Sequence, residues 1–128
     1  MKTKFSLSWK SSKQPRKQRK YLHNAPSHIR SKLMSAQLSD TLKNKYKKNS
    51  MPIRKGDTVK IVRGQFKKSS GKITQVFRRK YRVFVENATL SKKDGSKVFY
   101  PIHASNLMIL ELFLEDKRRM KGVKPGAK

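Results

Sequence analysis

The chain has no cysteine among its 128 residues. Disulfides, thiolate zinc sites and thiol nucleophiles are therefore excluded together. Acid is almost as scarce. Seven Asp and Glu stand against 34 Lys and Arg, and the first acidic residue is Asp40. Long apolar runs are missing as well. No stretch approaches the roughly 20 residues of a membrane-spanning helix, and nothing reads as a lipid anchor or an amphipathic insertion helix. The three histidines, His23, His28 and His103, lack the spacing of paired metal ligands on a helix. With 34% hydrophobic residues, the chain has material for only one small core.

What is present is charge of one sign. A net charge of +27 cannot neutralise itself internally, and it opposes any compact state until counter-charge arrives. The densest counter-charge in a cell is the phosphate backbone of nucleic acid. An acidic membrane surface is the second candidate, and it lacks the anchoring element such binding needs.

The charge and the apolar residues divide the chain into four zones. Residues 1–24 hold Lys10, Lys13, Arg16, Lys17, Arg19 and Lys20, no acid and no apolar periodicity. Such a segment has too little apolar surface to offset its ordering entropy, so alone in water it is expected to be disordered. A transit peptide or a nuclear-localisation cluster shares this chemistry. Trp9 suits either base stacking or packing against the domain. Residues 25–50 read as two short helices. Ile29, Leu33 and Met34 share one face of the first, with Pro26 and Ser27 at its start. Ser39 caps the second, Asp40 sits in its first turn, and Leu42 and Tyr46 form its apolar side.

Residues 51–112 hold most of the β-branched and aromatic residues. Five strands are predicted, over about 58–63, 72–77, 81–86, 97–102 and 107–111. Alternation is clearest in the third, with Tyr81, Val83 and Val85 on one side and Arg82, Phe84 and Glu86 on the other. Lys93-Asp94-Gly95-Ser96 contains a hairpin dipeptide and is expected to join the third strand to the fourth. Short strands with close turns suggest a small closed β-barrel. Residues 113–128 return to basic character. Glu115-Asp116 can start a short helix there, and the tail is expected to be mobile without a partner.

The most informative stretch runs Arg54-Lys55-Gly56-Asp57-Thr58-Val59-Lys60-Ile61-Val62-Arg63-Gly64-Gln65-Phe66-Lys67-Lys68-Ser69-Ser70-Gly71-Lys72-Ile73. It reads as strand, turn, polar loop and strand. Gly64 suits a backbone with positive φ or a close approach. Gln65 to Ser70 form an exposed tip whose amides and Lys67-Lys68 are offered to phosphates. Phe66 either folds back onto the barrel mouth or stacks on a base, and packing is the commoner fate.

This stretch resembles a KOW motif, which occurs in transcription elongation factors and several ribosomal proteins. The flanks narrow the resemblance. His23-Asn24-Ala25-Pro26-Ser27-His28-Ile29-Arg30, Ser50-Met51-Pro52-Ile53-Arg54-Lys55-Gly56-Asp57 and Ile102-His103-Ala104-Ser105-Asn106-Leu107 are similar to the large-subunit ribosomal protein family numbered twenty-four in archaea and twenty-six in eukaryotes. The similarity runs in order over roughly residues 20–118. One departure is visible: Lys68 stands where the motif usually has a second glycine. The short C-terminal side resembles a reduced eukaryotic or an archaeal-like member, and the long N-terminus and the Ser50–Asp57 entry motif favour the reduced eukaryotic one.

The resemblance implies a mainly β protein: a five-stranded SH3-like (KOW) barrel with two short N-terminal helices and basic extended tails. It implies a structural role in the large ribosomal subunit, in the cytoplasm, with nucleolar transit if the source is eukaryotic. The implied partners are the 5′ region of large-subunit ribosomal RNA, including 5.8S-type RNA, and neighbouring ribosomal proteins, near the exit of the nascent-peptide tunnel. No cofactor, metal or small-molecule substrate is implied. The candidate RNA contacts are Arg16, Lys17, Arg19, Lys20, His28, Arg30, Lys32, Arg54, Lys55, Arg63, Lys67, Lys68, Lys72, Arg78, Arg79, Lys80 and Arg82. Any one of these is nearly as well explained as a solvated cation. The ensemble is not, because a solvated surface normally mixes signs. His103 is better suited to a hydrogen-bonded structural role.

Catalysis is poorly supported. Asp57 and Asp94 have turn roles, Glu115 and Asp116 a helix-start role, and no triad, phosphate-binding loop or metal constellation remains. Two binding classes compete with the ribosomal one. A polymerase-associated KOW factor would normally carry a further acidic or mixed-charge domain, for which 128 residues leave no room. A histone-like compactor would share the charge without the barrel motif, and would prefer duplex DNA to structured RNA. For the free protein, hydrogen exchange is expected to show protected amides in the β region and fast exchange over residues 1–24. Protection throughout residues 1–24 would overturn this organisation.

Overall fold

The computed structural model describes residues 5–8, 11–121 and 123. The readings of Trp9, Lys10 and Lys128 lie outside the described residues. The chain begins with helix α1 (Pro15–Asn24), helix α2 (Ser27–Leu33), strand β1 (Ser35–Leu38), helix α3 (Asp40–Tyr46) and strand β2 (Ser50–Pro52). Strands β3 (Thr58–Ile61), β4 (Ser70–Phe77), β5 (Arg82–Val85), β6 (Thr89–Ser91), β7 (Lys97–Phe99) and β8 (Leu107–Glu111) follow. Three short 3-10 turns lie at Arg78–Lys80, Ala104–Asn106 and Lys117–Met120.

The protein is mainly β, but not the expected closed five-stranded barrel. Six strands form one sheet in the order β2-β1-β8-β3-β4-β5, and β6 and β7 form a separate two-stranded ribbon. β8 lies at the centre, parallel to β1 and antiparallel to β3. The outer edge of β5 meets a single bridge between Val83 and Ile102. The fourth predicted strand is shorter than expected, ending at Phe99. The Lys93–Ser96 turn joins β7 to the unforeseen β6 rather than to β5. Asp94 shapes that turn by accepting from the Ser96 amide (3.0 Å) and hydroxyl (2.7 Å).

Alternation along the strands builds the core. Val59 and Ile61, Val83 and Val85, and Leu107 and Ile109 all point inward and are essentially inaccessible to solvent. Ala36 and Leu38 do the same from β1, between the two expected helices of residues 25–50. The helix packing differs in one detail: Ile29 is buried, but Leu33 is 40% exposed and Met34 is buried in its place. The reason is that α2 ends at Leu33, and the turn at Met34 (φ −88°, ψ 62°) swings the next side chain inward.

Two of the motif's glycines are needed for different reasons. Gly64 has φ +106° with nothing near its Cα hydrogens, so conformation alone selects it. Gly71 has ordinary backbone angles, but a Cβ there would come within 3.2 Å of both Val85 and Asn87. Lys68 has φ +73°, so it adopts the left-handed conformation that the motif's usual glycine supplies.

The basic N-terminal zone is not unstructured throughout. α1 starts with Pro15 at a position where the missing amide costs nothing. None of its residues is buried. Its end is held by the Tyr81 hydroxyl, which donates to the Leu22 carbonyl (2.6 Å). Of the C-terminal segment, the described residues 113–121 and 123 pack back against the sheet. Asp116 accepts from the Arg118 amide (2.9 Å) and starts the final 3-10 turn. That turn carries Arg119 into the interior, and Val123 is buried beyond it.

Arg119 meets Asp57 there in a two-pronged ion pair, with Nη1–Oδ1 at 2.5 Å and Nη2–Oδ2 at 2.6 Å. Asp57 is inaccessible to solvent. Its oxygens also accept from the amides of Phe113 (2.9 Å) and Arg54 (3.0 Å). Arg119 in turn donates to the carbonyls of Phe113 (3.0 Å) and Pro52 (3.2 Å). Its Nε is buried without a partner among the described residues. A buried pair contributes little beyond an apolar substitute, but breaking it strands a buried charge. Arg119→Leu is therefore expected to destabilise the fold by about 3–5 kcal/mol in urea unfolding. Adding Asp57→Asn should recover only part of this, because Asp57 also serves two backbone amides. A loss under about 1 kcal/mol for Arg119→Leu would show that the pair does not hold the C-terminal segment.

Candidate nucleic-acid interface

The predicted contact residues fall into four places. The first is helix α1, whose Arg16, Arg19 and Lys20 are exposed and whose Lys17 is half-buried. The second is the tip between β4 and β5. Arg78, Arg79 and Lys80 form a 3-10 turn with all three residues exposed. Tyr81 closes the turn with φ +55°, its amide donating to the Arg78 carbonyl. Lys80 lies over the Phe77 ring at 5.9 Å.

The third is a broad groove between α2, the end of β2 and the middle of β4. Lys32, Arg54, Lys55 and Arg78 line it, over a floor that includes Pro52, Ile53, Val76 and Phe113. Its acid is Asp116, which is ion-paired with Arg54. The Arg54 side chain, chiefly through this hydrogen bond, holds the Asp116 carboxyl below its ordinary range. Arg54 thus comes to the groove already partnered, while Lys32, Lys55 and Arg78 take part in no ion pair among the described residues.

The fourth is a smaller cleft at the KOW-like loop, lined by Arg63, Gln65, Phe66, Arg82, Tyr100, His103 and Asn106 among others. Phe66 folds back, its ring 5.2 Å from that of Tyr100. The loop amides are less available than the sequence suggests. Those of Lys67, Lys68 and Ser69 donate to the carbonyls of Gly64, Ile61 and Phe66. The loop therefore offers the exposed side chains of Lys67 and Lys68 rather than a ring of amides. Lys72 on β4 and His28 on α2 are also exposed.

Arg30 is engaged with the protein's own carbonyls. It donates to the carbonyls of Ala25 (2.7 Å), His23 (2.6 Å) and Arg79 (3.3 Å), and its guanidinium lies 5.7 Å from the Tyr81 ring centre. It braces α1, α2 and the cationic tip against one another. The Tyr81 hydroxyl sits in the same brace, and burial raises its pKa against the opposing pull of Arg30. Sequence reasoning also missed Arg119, since a lone arginine inside a basic run carries no mark of burial.

His103 has the structural role expected of it. Its Nδ1 accepts from the Ser105 amide (3.2 Å) and lies 2.7 Å from the Ser105 hydroxyl, starting the Ala104–Asn106 turn. An accepting Nδ1 requires the neutral ring in its Nε2-protonated tautomer. Burial, then the charge of Arg82, lowers the His103 pKa from its ordinary 6.5. Its contribution to stability is therefore complete above that value and lost as the pH falls through the lowered one. In the free protein, NMR is expected to find His103 titrating below 6.5. A value above it would mean that the ring does not hold this bond.

Comparison with known proteins agrees with the sequence resemblance. The family described as ribosomal proteins L26 of eukaryotes and L24 of archaea matches residues 12–125. A curated relative, large ribosomal subunit protein uL24 of the archaeon Methanosphaera stadtmanae, is 53% identical over 108 residues. That alignment covers 84% of this chain and 92% of the relative. The family takes in both eukaryotic and archaeal proteins, so the match carries the family and not the eukaryotic assignment. With nearly the whole chain matched, including both the KOW-like loop and the docked C-terminal segment, the protein belongs to the family of eukaryotic L26 and archaeal L24 ribosomal proteins.

Proposed function

We propose that this protein is a structural constituent of the large ribosomal subunit, that it binds and stabilises ribosomal RNA, and that it is not an enzyme. The observation that carries the reading is 53% identity to a large-subunit protein over 92% of that protein's length. The charge distribution supports it. Exposed cations gather on α1, at the Arg78–Lys80 tip, around the α2–β4 groove and on the KOW-like loop, with few acids among them. Each cation that meets a phosphate releases condensed counterions. Duplex RNA offers shape, phosphates and 2′-hydroxyls more than readable base edges, so selectivity rests on the fold of the RNA.

In finer terms, the protein binds the 5′ region of the large-subunit RNA, including 5.8S-type RNA, beside other ribosomal proteins near the tunnel exit. Its place of work is the cytoplasmic ribosome. The sheet acts as a rigid wedge, and α1 and the basic loops reach between RNA helices.

Sedimentation of lysate through a sucrose gradient tests the reading. Tagged protein is expected with large subunits and whole ribosomes, and is expected to stay there at moderate salt. Migration in light fractions with polymerase or chromatin would transfer the chain to a transcriptional or DNA-compacting role. Replacing Arg78, Arg79 and Lys80 with Ala should weaken RNA binding at low salt. It should also reduce the slope of log affinity against log salt by roughly two to three. An unchanged slope would remove the tip from the interface.

A further inference from the structure

The Arg78–Lys80 tip borders a surface of unusual composition for so polar a protein. Phe77, Tyr81, Phe84, Phe99 and Pro101 line a shallow cleft where the end of β4, strand β5 and the ribbon strand β7 come together. The rings of Phe84 and Phe99 lie 6.3 Å apart at an interplanar angle of 47°. Phe99 is 46% exposed and belongs to no part of the buried core. A large aromatic ring left in water on a two-stranded ribbon is costly, and exposed apolar patches of this kind mark binding surfaces. The rim consists of His23, Arg79, Lys80 and Arg82, and no acidic side chain among the described residues lines the cleft.

An apolar floor alone would suit a neighbouring protein as well as a nucleobase. The rim decides between them. Three cations around an aromatic platform complement a ligand that carries an apolar face and a negative backbone together. An unpaired nucleotide has both, because every base offers a π-face and brings its phosphate. Duplex RNA does not fit, since its bases are stacked on one another and closed to a protein ring.

We infer that the Phe84–Phe99 platform stacks an unpaired base of RNA, with Arg79, Lys80 and Arg82 holding the adjoining phosphates. The inference rests on the RNA-binding reading above and assigns it a site where a base, rather than the backbone alone, is touched. Phe99 supplies the open ring face. Phe84, half-buried behind it, sets its tilt. The cationic tip then has two tasks: it neutralises phosphate in the duplex, and it steers the strand across the platform.

The test uses the full chain and two probes, a single-stranded oligoadenylate of about ten nucleotides carrying one 2-aminopurine, and an RNA duplex of about ten pairs, enough to span a single binding face. A double variant, Phe84→Leu with Phe99→Leu, keeps the apolar floor and every cation but removes both rings. Binding of the single strand by the native protein is expected to quench the 2-aminopurine. The variant should bind that strand roughly tenfold more weakly, lose the quenching and bind the duplex as before. If the variant binds both probes as the native protein does, the platform is not a stacking site, although the RNA-binding reading stands. If the native protein binds neither probe, that reading fails and takes the platform with it. Phe99→Leu alone, at an exposed position, guards against misfolding of the double variant and should show part of the same loss. Crosslinks from Phe99 to a neighbouring protein in isolated large subunits, with none to RNA, would also overturn the inference.

Discussion

The fold depends on one carboxylate. Asp57 lies in the turn that leads into β3, and each of its oxygens accepts from a backbone amide and from one nitrogen of Arg119. Through these bonds the end of β2, the start of β3, the segment after β8 and the last 3-10 turn are tied at a single point. A chain of net charge +27 has little tolerance for loose ends folded against itself. The pair solves this locally by drawing one cation inside, where a negative group and two carbonyls await it. It also accounts for the course of the C-terminal segment, which would otherwise follow its charge into solvent.

The remaining cations are arranged in the opposite way. Lys32, Lys55, Arg63, Lys67, Lys68, Lys72 and Arg78 lie outside the ion pairs of the described residues and project from turns, loop tips, helix α2 and strand β4. Arg30 differs from them in being engaged with the protein's own backbone. By donating to three carbonyls it links the end of α1 to the Arg78–Lys80 tip. These bonds set the geometry in which the exposed cations of α1 and the tip are presented.

Much of this was legible in the chain. Period-two alternation of β-branched residues marks β3, β5 and β8 because each buries one face only. The Gly64 and Gly71 spacing marks the loop because one position has positive φ and the other leaves little room for a side chain. β1 is hidden for a physical reason. Ser35-Ala36-Gln37-Leu38 contains no β-branched residue, and its extended form is imposed by β2 on one side and β8 on the other. β6 is too short for periodicity to register. The charged zones are legible in total but not residue by residue. Lys and Arg have the same sequence signature whether they face phosphate, brace a turn or enter the core, so Arg30 and Arg119 had to be seen in place. The count of five strands closed into a barrel fails for a related reason: strand pairing at the sheet edges is decided by tertiary geometry, not by local pattern.

The central position of β8 has a temporal side. The strand that separates β1 from β3 is encoded by residues 107–111, and the arginine that satisfies Asp57 comes later still. During synthesis, β1 and β3 therefore emerge with no strand between them, and Asp57 has no counter-ion. The nascent chain can form its helices and the β3–β4–β5 hairpins, but the complete sheet must wait until residues 107–111 are free. Pairings of such long sequence separation are slow to form. The topology thus delays closure of the sheet until β8 and the arginine beyond it have both been made.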